Sequence, residues 1–271
     1  MTPDPSQPKR LVSGVFDRAA PSYDSVAGSY FSVLGPRLID KASIRETATV
    51  VDIACGKGAT LVNAAERVGP EATLIGVDIS LEMVRHARSR ATSGEFTNIS
   101  VAVMDAEQLA LRDARADALI CGFSLHFFPD PLQAVREFVR IVVPDGTVAI
   151  SEWGPTDERW SWEDDLVRAL PVEGVSSGSF ETPAALESLL SSAGLRDIDV
   201  ETESLTVRLA DEDEWWTWKW SYSFRHMLEQ LDVDARDRFK AEALERLRGM
   251  RDEDGIPLTL HALMAVARKT G

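Results

Sequence analysis

Three carboxylates, each at the end of an apolar run, are the first candidates for chemistry: Asp52, Asp78 and Asp105. Asp52 follows Val50-Val51 and precedes Ala54-Cys55-Gly56-Lys57-Gly58, where two residues lacking Cβ let a bulky ligand lie against bare peptide. Asp78 ends the run Thr73-Leu74-Ile75-Gly76-Val77, about 20 residues beyond that loop, where a carboxylate can accept both hydroxyls of a ribose. A dinucleotide site needs a further glycine or alanine three residues after Gly58 to admit a pyrophosphate, and Leu61 stands there. Asp52 also disfavours a phosphate and suits an α-amino group. S-adenosylmethionine, which has a ribose and no phosphate, fits this set.

Two more ionisable groups, His126 and Glu152, fall just past the apolar runs 116–123 and 147–151. Ligands of open parallel sheets sit beyond the carboxyl ends of the strands, so these side chains, with Phe123 and Trp153 beside them, are expected nearest the reacting group. An imidazole, with an intrinsic pKa of roughly 6.5, suits proton removal near neutrality. A histidine between Leu125 and Phe127 equally suits a hydrogen-bonded core, and Glu152 a helix cap or a hydrogen bond to substrate. A third group is aromatic: Trp215, Trp216, Trp218, Trp220 and Tyr222 crowd one short helical stretch. We read it as a lid that walls an acceptor pocket with flat rings. A helix clamped between two core layers, or a subunit interface in a homo-oligomer, is the structural alternative.

The order Asp52-Ile53-Ala54-Cys55-Gly56-Lys57-Gly58, Gly76-Val77-Asp78-Ile79-Ser80 and Asp105-Ala106-Glu107 resembles the class I S-adenosylmethionine-dependent methyltransferases. Phe16-Asp17-Arg18-Ala19-Ala20-Pro21-Ser22-Tyr23-Asp24 is similar to the opening of the ubiquinone and menaquinone C-methyltransferases and their small-molecule relatives. Ala54 departs from the family, which more often has glycine, by one methyl group. The resemblance implies an α/β fold: a Rossmann-like, doubly wound, seven-stranded sheet, mostly parallel with an antiparallel last strand. N-terminal helices and a helical insertion before that strand complete it. It implies cofactor contacts from Ala54, Gly56, Gly58 and Ile79 beside Asp52 and Asp78, with Met83 on the adenine face. Asp105 would accept from the adenine amino group, the Ala106 N–H would donate to the ring, and Tyr23 would lie near the methionine end, with Phe16 on the acceptor side. The implied activity is methyl transfer to a small apolar or aromatic acceptor (a quinol, phenol, indole or prenylated natural product) in secondary metabolism. A cyclase, an isomerase or a non-catalytic binding protein on the same fold is the alternative.

The elements that must hold these residues follow from periodicity. Leu11, Val12, Val15, Phe16 and Ala19 recur at helical spacing up to Pro21, after a polar, proline-bearing start that reads as loose. A second helical pattern covers about Val26 to Ile39, and Asp145-Gly146 reads as a turn before the fifth strand. Residues 155–180 read as a surface loop with a short helix. We divide the chain into an N-terminal helical cap (1–45), an α/β domain (46–210), a lid insertion (211–255) and a last strand (256–271). With 271 residues, 44% of them hydrophobic, the chain can bury a sizeable core. A net charge of −15 disfavours nucleic acid and anionic membranes as partners and leaves a small molecule. Cys55 and Cys121 lie in apolar runs and read as buried thiols; no metal site, membrane span or signal peptide is expected, which implies a cytoplasmic protein.

Overall fold

The computed structural model describes residues 6–24, 30–172, 174 and 180–271. Residues 25–29, where the second helical pattern was expected to begin, lie outside them. The apolar runs form β1 (Thr49–Ile53), β2 (Thr73–Asp78), β3 (Ile99–Val103), β4 (Ala116–Gly122), β5 (Val142–Trp153), β6 (Leu195–Leu209) and β7 (Ile256–Lys269). They make one sheet in the order β3-β2-β1-β4-β5-β7-β6, in which β7 alone runs antiparallel to its neighbours. The strand order reverses between β1 and β4, which opens a crevice at their carboxyl ends.

Helices cover both faces. On one, α5 (Pro131–Ile141) and α7 (Pro183–Ser192) bury Val135, Phe138, Leu186 and Leu190 against Leu119, Val148 and Leu263. On the other, α2 (Tyr30–Ala42) and α3 (Ala59–Val68) set Leu34, Leu38 and Leu61 over Val50, Leu74 and Ile120. α1 (Gln7–Ala19) lies against α4 (Leu81–Ser93). β7 pairs with β5 only as far as Ala262, opposite Trp153, whereas Ile256–His261 pair with β6 alone. That two-stranded extension carries α6 (Ser161–Arg168), α8 (Glu212–Trp220), α9 (Arg225–Gln230) and α10 (Val233–Met250) around a separate core of Trp160, Trp215, Leu228, Phe239 and Leu247.

Three local expectations change. α1 starts at Gln7, inside the segment read as loose, because Pro8 sits in its first turn, where a missing N–H costs nothing. Asp145-Gly146 does not end a turn: β5 runs through it from Val142, with Asp145 at φ 60° and a register shift opposite Ala116–Ala118. Trp160 is no surface residue, being 1% exposed with its indole N–H donating to the Pro257 carbonyl at 3.0 Å.

Candidate active site

A cleft of about 740 Å3, counted with the solvent at its mouth, lies over the crevice. Its floor is the β1 loop, where Ala54 (φ 52°) and Gly56 (φ 52°) both take the left-handed conformation. Among the described residues a Cβ on Gly56 would meet only Tyr23, at 3.9 Å. Asp78 ends β2 on one wall, and its carboxylate is aimed by two backbone donors, the N–H of Gly56 at 2.9 Å and of Ser80 at 2.8 Å. Burial pushes its pKa up to about 6, against the pull of those two N–H groups. Ile79, Met83, Met104 and Ala106 form an apolar slot beyond it, with Asp105 at the rim. Asp105 and Glu107 both pair with Lys9 of α1, at 2.7 and 2.5 Å. Burial works against the Lys9 charge, and the two carboxylates outweigh it, so its pKa is raised.

A larger chamber of about 1460 Å3 adjoins this cleft, and the two share Phe16, Tyr23, Phe123 and Phe127 in their walls. Phe123 stands at φ 53°, a strained backbone for an aromatic residue, held by its N–H to the Ser151 carbonyl and by stacking on Trp153 at 4.2 Å. His126, in the turn after β4, lines the chamber beside this junction. Its Nδ1 lies 2.7 Å from Glu152 Oε2, and Glu152 Oε1 accepts the Leu125 N–H at 2.6 Å. Glu152 is 1% exposed. Both carboxylate oxygens are engaged, so Glu152 holds the orientation of the imidazole through Nδ1. Tyr30, Phe31, Trp153, Trp160, Trp218 and Tyr222 make the chamber largely aromatic.

The structure sorts the residues singled out in the sequence. Tyr23, Ala54, Gly56, Asp78, Ile79, Met83, Asp105, Ala106 and Phe123 meet in the cleft, and Phe16, His126, Trp153, Trp218 and Tyr222 in the chamber. Gly58 does not reach the cleft: at φ 78° it starts α3, and a Cβ there would press on Ala87 of α4 at 3.2 Å. Asp52, a residue of β1, is 1% exposed and does not line the cleft. Three of the tryptophans expected in the acceptor wall lie elsewhere. Trp215 is fully buried among Trp162, Trp216 and Phe239, Trp216 packs on Phe239 and Lys240, and Trp220 lies under Arg225 and Arg236. Successive residues of a helix turn by about 100°, so once Trp218 and Tyr222 face the chamber, Trp216 and Trp220 face α9 and α10. We therefore expect Trp216→Ala to cost about 2–3 kcal/mol in denaturant unfolding and to leave acceptor binding unchanged.

Sequence reasoning missed Lys9, Tyr30, Phe31, Glu163 and Lys219. Lys9 was findable, since it shares a helical face with Val12 and Phe16, which also line the cleft. The others reach the chamber from separate elements, and no spacing links them. Among the described residues no three or more His, Cys, Asp or Glu gather as a metal site, and no helix is long and apolar enough to cross a membrane.

S-adenosylmethionine can be tested against these residues. Asp52 Oδ2 is buried with no hydrogen-bond partner among the described residues, and burial, then the nearby Asp78 charge, raise its pKa well above the carboxylate range. An ammonium group above Ala54 would supply the missing positive charge. Bare peptide at Gly56, an aimed carboxylate at Asp78 and an apolar slot suit the rest of an adenosyl group. Comparison with known proteins agrees. A sequence model described as a methyltransferase domain matches residues 44–194, which hold the loop at Gly56, Asp78, His126 and Glu152. Nocamycin O-methyltransferase of Saccharothrix syringae is 29% identical over 274 residues, 95% of this chain and 96% of that one. A demethylmenaquinone methyltransferase of Listeria monocytogenes is 30% identical over 146 residues, 51% of this chain and 60% of that one. The solved YcgJ protein of Bacillus subtilis shares the fold, with a TM-score of 0.62 at 22% identity over 88% of this chain and 99% of its own. The chain thus belongs to the S-adenosylmethionine-dependent methyltransferases.

Proposed function

We propose that this enzyme methylates a hydroxyl oxygen on a flat, apolar small molecule of secondary metabolism, with His126 as the general base. The observation that carries this reading is the His126–Glu152 pair, 2.7 Å apart, at the junction of the cofactor cleft and an aromatic chamber. When bound, S-adenosylmethionine supplies a methyl group already activated on a sulfonium, and the protein's task is alignment, exclusion of water and removal of the acceptor's proton. Phe16, Phe123 and Phe127 exclude water at the junction. Trp153 and Tyr30 hold the acceptor ring by stacking, and His126 takes the hydroxyl proton while Glu152 steadies the imidazolium. In the cleft, Asp78 would accept the ribose hydroxyls and Asp105 and the Ala106 N–H would hold the adenine, while Asp52, buried behind the lining, would offset the charge of the amino group. The insertion 211–255 acts as the chamber's lid, through Trp218 and Tyr222. The full-length similarity to a nocamycin O-methyltransferase supports an oxygen acceptor, whereas the similarity to the menaquinone enzyme spans half of the chain.

The test is incubation with carbon-13 methyl-labelled cofactor and a panel of phenols, quinols, indoles and prenylated compounds. Label in a methoxy group is expected. Label on a ring carbon overturns the oxygen assignment, and conversion without label makes the protein a cyclase or isomerase. The Asp78 carboxyl adds a pH signature. Only its ionised form accepts two hydroxyl protons, so affinity for S-adenosylhomocysteine is expected to be full well above pH 6 and to fall as the pH drops through about 6. Isothermal calorimetry across that range checks it; a flat profile would remove the ribose contact.

A further inference from the structure

The acceptor chamber has a second polar end that the reaction above does not use. Lys219, in the last turn of α8, lines the chamber with its side chain 4% exposed. Its Nζ pairs with Glu163 of α6 and donates to the Tyr222 hydroxyl at 2.9 Å. The rings of Trp215, Trp218, Tyr222 and Phe224 surround it, with centroids 4.5 to 5.6 Å away. Burying an ammonium costs several kcal/mol even when it is paired, and an apolar side chain of similar volume is commonly as stable or more so. Stability therefore does not explain a lysine at this place. An ammonium has three N–H donors. Among the described residues Glu163 and Tyr222 take two, which leaves one for a ligand oxygen.

The wall between the two polar ends is a run of rings. Phe123 stacks on Trp153 at 4.2 Å, Trp153 meets Tyr30 at 5.5 Å, and Tyr30 meets Trp218 at 6.3 Å. Lys219 Nζ lies 4.5 Å over Trp218. We propose that Lys219 is a specificity residue that donates to a carbonyl oxygen at the end of the acceptor remote from the methylated hydroxyl. This deepens the functional reading above and rests on the chamber being the acceptor site. Glu163 neutralises Lys219, so the pair offers a strong donor without net charge. It favours a neutral ketone or quinone oxygen over a carboxylate, which Glu163 repels. The acceptor class is then a flat, fused-ring molecule with a hydroxyl at one end and a carbonyl at the other.

The test is binding, read by quenching of tryptophan fluorescence with S-adenosylhomocysteine present. The probes are 6-acetyl-2-naphthol and 6-ethyl-2-naphthol, which match in size and differ by one oxygen. The native protein is expected to bind the acetyl compound about tenfold tighter, the effect of one charge-assisted hydrogen bond. Lys219→Met combined with Glu163→Gln removes both charges together and is expected to abolish that preference while the affinity for S-adenosylhomocysteine stays unchanged. Glu163→Gln alone leaves the lysine charge uncompensated and is expected to tighten binding of 6-hydroxy-2-naphthoate, a gain that a folding defect cannot imitate. Equal binding of the two naphthols by the native protein, persistence of the preference in the double variant, or no gain for the naphthoate in Glu163→Gln overturns the proposal. The oxygen-transfer reading fails on a different observation, the fate of the labelled methyl. A labelled methoxy product without carbonyl preference therefore removes the Lys219 role alone.

Discussion

Asp78→Ala is expected to lower the affinity for S-adenosylhomocysteine by roughly two orders of magnitude or more, about 3 kcal/mol, in isothermal calorimetry. The carboxylate is buried and held in direction by the N–H groups of Gly56 and Ser80, so it needs no reordering to receive a ribose. Each oxygen retains a lone pair for a hydroxyl, and hydrogen bonds to a charged acceptor contribute about 1.5–3 kcal/mol apiece. The substitution also frees the Gly56 N–H, in a loop that already holds Ala54 at positive φ. A drop in melting temperature should accompany the lost affinity. Asp78→Asn separates the two effects: its amide oxygen can keep one backbone N–H in place, but it cannot accept as many hydrogen bonds as the ionised carboxylate. If it preserves the melting temperature and still loses the ligand, the ribose contact is established; unchanged affinity in both variants assigns the ribose elsewhere.

His126→Ala is expected to reduce kcat by about 10²–10⁴-fold, the usual range for a general base, with cofactor affinity unchanged. His126 lines the acceptor chamber and not the cofactor cleft, so the two readouts are separable. Glu152→Gln tests the pair from the other side. An amide at 152 can still accept the Leu125 N–H but no longer holds Nδ1 with a full negative charge, so the imidazole loses its fixed orientation. We expect about a 10–100-fold loss of kcat, partly recovered at higher pH, because deprotonation of the acceptor then needs less help from the enzyme. Equal kcat in native and His126→Ala enzyme, measured by single-turnover methyl transfer, would make His126 a wall residue. Loss of cofactor affinity in the same variant would place the defect in folding of the β4 turn.

Much of the scaffold was legible because it is local. Apolar runs of the right length with carboxylates at their ends specify buried parallel strands, and the spacing from Asp52 to Asp78 to Asp105 places three adjacent strand tips along one edge. Gly56 lines the cleft at positive φ, a conformation that the loop itself requires, whereas Gly58 is crowded by the methyl group of Ala87, on a helix the loop cannot specify. The pairing of His126 with Glu152 was anticipated only as proximity. That a bond of 2.7 Å fixes the imidazole depends on the neighbouring registers of β4 and β5.

By itself the sequence carried the strand runs, the carboxylates at their ends and the family resemblance that implied the sheet and the cofactor, because runs and spacings are local. Only the tertiary structure decided which tryptophans face the chamber, that Lys9 reaches across to Asp105 and Glu107, and that Lys219 and Glu163 meet in the chamber wall. The physical reason is that helical periodicity says which residues share a face and nothing about what that face meets. The partner of a face is set by how α6, α8 and α10 pack on the protruding β6–β7 ribbon, through contacts between residues far apart in the chain.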